Sequence, residues 1–252
     1  MIDYTQNIID TLIKTSRVYI NRIIEAVTLI EQSDKYQEDE TVSSLIYSSC
    51  RLLSQNINMS YLYDNQLLEA PSYPINLEYV LKVIISECSE QLKPIKRELQ
   101  LTIDGQVRSL VQINEKAFTI AFMNLLQNAL LYSPPKSTVI ITLDNQRENH
   151  VCIKITNLAG LNTYKANDEH SGLGIPLCFK IAEHCNGALV HSESEGKTVA
   201  DLQLPLAPES NALPLSTEFS DYISERFRPT RLFMYEVLAQ HTNNYTTEKE
   251  HD

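Results

Sequence analysis

Apolar residues recur at alternating steps of four and three from Ile9 through Ile13, Ser16, Ile20, Ile23 and Val27 to Ile30, the a/d spacing of a coiled-coil seam. A polar stretch, "EQSDKYQEDE", predicts an interhelix turn. A second helix follows with Val42, Leu45, Ser49, Leu52, Asn56, Met59 and Tyr63 at heptad spacing. Two such helices make an antiparallel hairpin over residues 1–68. A lone hairpin leaves one apolar side wet, so the expectation is a homodimer whose hairpins close a four-helix bundle; packing on the chain's own second domain is the alternative.

The two prolines of "LLEAPSYP" mark a boundary, and the pattern then changes. Asn76 caps a predicted helix through "LEYVLKVIISECSEQL", Pro94 ends it, and "ELQLTID" alternates like a strand before a turn at Gly105. Asn114 caps the next helix, with Glu115 just inside it, where the helix dipole favours a negative charge. Pro134 and Pro135 stop that helix. Two alternating strands, "STVIITLD" and "HVCIKITN", a polar loop, a helix over residues 173–184 and two last strands complete residues 74–206. The order is helix, strand, helix, strand, strand, helix, strand, strand, which reads as an α/β sandwich with a mixed sheet covered on one side, and makes the whole chain α+β. Residues 207–252 form a tail with a linker-like start and two short apolar segments, in which Phe219, Tyr222, Phe227, Leu232 and Phe233 are available to dock on the body or on a partner.

Composition narrows the class. Acids exceed bases 32 to 21 for a net charge of −11, so polyanions are repelled and nucleic acid is not an expected partner. The five cysteines are scattered and show no C-x-x-C pair, which points to a reducing, cytoplasmic setting rather than a disulfide framework or zinc knuckle. No apolar run approaches a membrane span and no signal peptide is evident, so direct membrane insertion is not expected.

Candidate chemistry lies in "FMNLLQNALLYS". Asn124 and Asn128 are one helical turn apart on an otherwise apolar helix. Buried, each amide needs partners; facing a cleft, the pair suits a hard cation and polar ligand oxygens. Five of the six glycines fall between residues 160 and 196. Gly172 and Gly174 stand at the start of a helix, where open N–H groups and the dipole suit an anion such as phosphate.

In order and spacing, "NLLQNALLYSPP", "VCIKITNLAG", "SGLGIPLCFKIAEHCNGAL" and "SESEGKTVADLQLP" resemble the N box, the two glycine boxes and the closing strands of the histidine-kinase-like ATPase domain. That fold is shared with gyrase and the ninety-kilodalton heat-shock chaperones. The hairpin ahead of it resembles the dimerisation and phosphotransfer hairpin of sensor histidine kinases. The resemblance implies ATP and Mg2+ as cofactors, with Asn128 holding the metal and Asn124 supporting the cleft one turn back. It also implies Tyr132 near the base or ribose, Asn157 accepting from the adenine amino group, Gly160 in the first glycine box of the nucleotide site, Gly172 and Gly174 letting the phosphate tail approach the helix start, and Thr198 reaching the adenine pocket.

Several positions depart from that pattern. Leu131 replaces a phosphate-contacting base, and Asn157 replaces an aspartate, so its bond to adenine loses charge assistance. "NLAGL" keeps only Gly160 of the usual two glycines, and His170 stands where the second box often begins with glycine. In the first helix, "TSRVYINRI" puts Arg17 at the phosphoacceptor position, Val18 at the acid and Arg22 at the proline. A guanidinium is no nucleophile, and all six histidines lie outside the hairpin, so no autophosphorylation is expected on this helix. His184 and His191 read as surface or core histidines. Three functions follow: a dimeric two-component-type scaffold or regulator that binds ATP and docks a response regulator or another kinase; an active kinase acting on a partner in trans; or a nucleotide-free interaction module.

Overall fold

A computed structural model describes residues 40–63, 68–69, 71–145, 147–159, 172–208, 230, 233–234 and 237–238, with side chains described from Cys50 onward. The predicted first helix with Arg17, the loop holding Gly160 and His170, and most of the tail lie outside the described residues.

Helix α1 spans Glu40–Tyr63. It carries a second buried stripe besides the heptad seam: Cys50, Ser54, Asn58 and Tyr61 are buried at steps of four and three, with Leu53 beside them. Leu52 on the seam stays 50% exposed. The helix thus packs on the body of its own chain through one stripe and leaves part of the other open.

The body begins with strand β1, Tyr73–Asn76, paired antiparallel with β3, Leu110–Ile113. Neither was anticipated. Four residues give too short an alternation to read; the two strands satisfy each other's backbone, and β3 also accepts from the Ala207 N–H at its Leu110 carbonyl. Asn76 then caps α2, Leu77–Leu92, accepting from the Tyr79 N–H at 3.2 Å and from the Ser109 hydroxyl at 2.9 Å. Pro94 closes the helix in a single 3-10 turn, Lys93–Ile95.

Helix α3, Glu115–Leu131, starts from Asn114, whose side chain accepts from the Ala117 N–H at 3.2 Å. Nearly every residue of α3 is buried, so it is covered on all sides. At its far end the Arg97 guanidinium donates to the carbonyls of Leu130 and Ser133, satisfying acceptors left open by the helix. Burial lowers the Arg97 pKa.

Strands β2 (Glu98–Ile103), β4 (Thr138–Asp144), β5 (His150–Leu158), β6 (Ala188–Ser194) and β7 (Lys197–Pro205) form one sheet in the order β2-β4-β5-β7-β6. Only β2 and β4 run parallel. Val139, Ile141 and Leu143 on β4, and Val151, Ile153 and Ile155 on β5, alternate onto the helix side, where α3 and α4 (Gly174–His184) lie. The mixed sheet covered on one face agrees with the pattern read from the sequence. All five cysteines are free thiols. No helix among the described residues is long and apolar enough to cross a membrane.

Candidate functional site

Helices α3 and α4 pack against each other, and their contact brings the asparagine helix to the glycine-led helix start. A Cβ added at Gly174 would lie 2.7 Å from Asn124 Oδ1. Only glycine permits this approach. Gly172 has φ +62°, a left-handed conformation with open space around it, and turns the chain into α4. Among the described residues no side chain caps the start of α4. Pro176 sits in its first turn, where the missing N–H breaks no helical bond, so the open donors there come from Gly174 and Ile175.

The two amides of α3 have different surroundings. Asn124 is 2% exposed and does not face a cleft. Its Nδ2 donates to Asn58 Oδ1 and to the Ile120 carbonyl, each at 2.9 Å, and its Oδ1 accepts from Asn58 Nδ2 at 2.8 Å. The helical turn that separates it from Asn128 places the latter nearer the surface, half-buried, with its backbone carbonyl accepting from Tyr132 N–H. Tyr132 is the exposed C-cap of α3. Asn157 on β5 and Thr198 on β7 are cross-strand partners on the helix side of the sheet. The Asn157 side chain is buried and donates to the Leu158 carbonyl at 3.0 Å, which leaves its amide oxygen as an acceptor. Thr198 is half-buried, with Glu193 on its other side in the same row. Gly160 lies outside the described residues. Leu131 is buried at the end of α3, and His184 and His191 are at the surface.

The family profile described as histidine kinase-, DNA gyrase B- and HSP90-like ATPase matches residues 113–208, a span that holds α3, α4, the paired Asn157 and Thr198 and the four closing strands. Residues 113–208 form a histidine-kinase-like ATPase core. The swarming motility regulation sensor protein RssA of Serratia marcescens is 35% identical over 75 residues, which cover 29% of this chain and 16% of that protein. The chain therefore matches about a sixth of that curated relative. Among solved structures, the Acinetobacter baumannii histidine kinase AdeS aligns with 77% of this chain and 97% of its own, at 16% identity and TM-score 0.53. Full-length ShkA, solved in complex with AMPPNP, aligns with 80% of this chain and 47% of its own, at 15% identity and TM-score 0.56. At such identities the likeness is one of fold.

Three residues around the ATPase core were missed by pattern reading. Asn58 belongs to the second stripe of α1, and that stripe was the available signal. Lys180 on α4 donates to the carbonyls of Tyr61 and Leu62 at 3.3 and 2.6 Å, placing a cation on the C-terminus of α1. Gln127 on α3 donates to the Phe233 carbonyl at 3.1 Å. No sequence signal marks these last two, because each meets a segment remote in the chain.

Proposed function

We propose that the ATPase core binds ATP with Mg2+ between the C-terminal half of α3, the start of α4 and the β5–β7 strand pair. The chain then acts in two-component-type signalling as a dimeric scaffold or regulator, in the cytoplasm. The single observation that carries this reading is the close seating of Gly174 against Asn124, which places uncapped N–H groups of α4 beside the helix turn that ends in Asn128.

The residues present fit the group. A half-buried amide oxygen at Asn128 suits a hard cation, open N–H groups suit phosphate, and the remaining acceptor of Asn157 beside the Thr198 hydroxyl suits the edge of a base. Bound magnesium would neutralise phosphate charge. Asn124 takes a positioning role, since its amide is committed to Asn58 and the Ile120 carbonyl. Arg17 at the position of the phosphoacceptor supports signalling without self-phosphorylation, with a response regulator or another kinase as partner.

Calorimetric titration of ATP with and without magnesium tests the site. Saturable, metal-dependent heat that vanishes in Asn128→Ala supports it; a flat trace at millimolar nucleotide leaves an interaction module. Label appearing on an added receiver-domain protein after incubation with labelled ATP would instead establish a kinase acting in trans. One observation favours the nucleotide-free reading: the Asn58–Asn124 pair already uses one of the two α3 amides.

A further inference from the structure

We propose that the outer side of the α2–α3 layer is a docking site for an amphipathic helix, and that its occupant is this chain's own segment around residues 230–238. Phe233 and Met234 are 0% exposed and Val237 is buried with them, so side chains one and four positions apart enter the same apolar core as α2 and α3.

Two polar anchors lie at the N-terminal end of this set. The Thr230 hydroxyl donates to Glu87 Oε2 on α2 at 2.9 Å, and the Phe233 carbonyl accepts from the buried Gln127 amide on α3 at 3.1 Å. The apolar contacts supply affinity without direction; the anchors fix the register and polarity of the segment. Gln127 stands on a helix that is apolar on nearly every side, where an amide needs hydrogen-bonding partners. The tail backbone provides one of them. Tethering in cis raises the effective concentration of the segment, so three apolar side chains and two hydrogen bonds suffice to hold it.

The inference stands whether or not nucleotide binds. It also assigns the chemistry of any competitor: a helix with two adjacent large apolar side chains and a third four residues from the first.

Hydrogen exchange on the full-length chain tests it. In the unaltered chain, backbone amides of residues 233–238 are expected to exchange at least about tenfold more slowly than a free chain. Phe233→Asp is expected to abolish that protection and speed exchange around Gln127. A synthetic peptide of residues 227–242 added to the Phe233→Asp chain is expected to restore protection at Gln127, while the same peptide bearing Phe233→Asp is not. Free-chain exchange of residues 233–238 in the unaltered protein overturns the proposal, as does equal restoration by both peptides. Protection that falls on dilution overturns the assignment in cis, placing the tail on a second copy. The measurement on the unaltered chain decides even if Phe233→Asp does not fold.

Discussion

Asn58 of α1 and Asn124 of α3 form a reciprocal amide pair, each donating to the other's carbonyl oxygen, at 2.8 and 2.9 Å. The pair is buried and joins two segments 66 residues apart in sequence. Removing one member strands the other. Asn58→Leu is expected to cost about 1–3 kcal/mol in urea unfolding, and Asn124→Leu a similar amount. The double variant is expected to recover part of the summed loss. Strictly additive losses would show that the two amides do not depend on each other.

Gly174→Ala places a methyl group where Asn124 Oδ1 already lies, 2.7 Å away. The amide must turn and surrender its bonds to Asn58. A loss of about 1–3 kcal/mol is expected, whereas in an Asn124→Ala background, where the space is already clear, adding Gly174→Ala is expected to cost little beyond Asn124→Ala alone. Gly172→Ala meets no neighbour but retains φ +62°, so it is expected to cost about 1 kcal/mol, with no rescue by Asn124→Ala.

Lys180 holds the last carbonyls of α1 from a neighbouring helix. Lys180→Met keeps much of the apolar stem and removes the charge. The expected loss is about 1 kcal/mol at low salt, shrinking as salt is added, because a charge at a helix terminus is screened. Amide exchange should quicken at the C-terminus of α1 and remain unchanged in α2.

Burial pushes the Cys185 thiol up to about 11 and raises the Cys88 and Cys178 thiols as well. Folding therefore favours the protonated thiols. Their contribution to stability is fully present below the ordinary thiol value of about 9 and is lost as pH rises through the folded value. Melting temperature is expected to fall between pH 9 and 11, with a shallower fall in Cys185→Ala. At pH 8, alkylation of Cys88 and Cys178 should await unfolding.

Local pattern was enough for the main elements of the body. Asn76 and Asn114 mark their helices because a cap acts on N–H groups within three residues of itself, and the alternation in β4 and β5 is long enough to show one buried face. The order of the asparagine and glycine motifs likewise pointed to the ATPase core, since those residue types serve backbone geometry and amide chemistry that few other side chains provide. The partners of buried groups were settled only in three dimensions. Asn124 meets Asn58, Gln127 meets Phe233 and Lys180 meets the end of α1, pairings across 66, 106 and 118 or more residues that no local period encodes. A buried amide needs a partner wherever the chain can bring one, and only the packing of α1 and the tail onto the helix layer decides which residue that is.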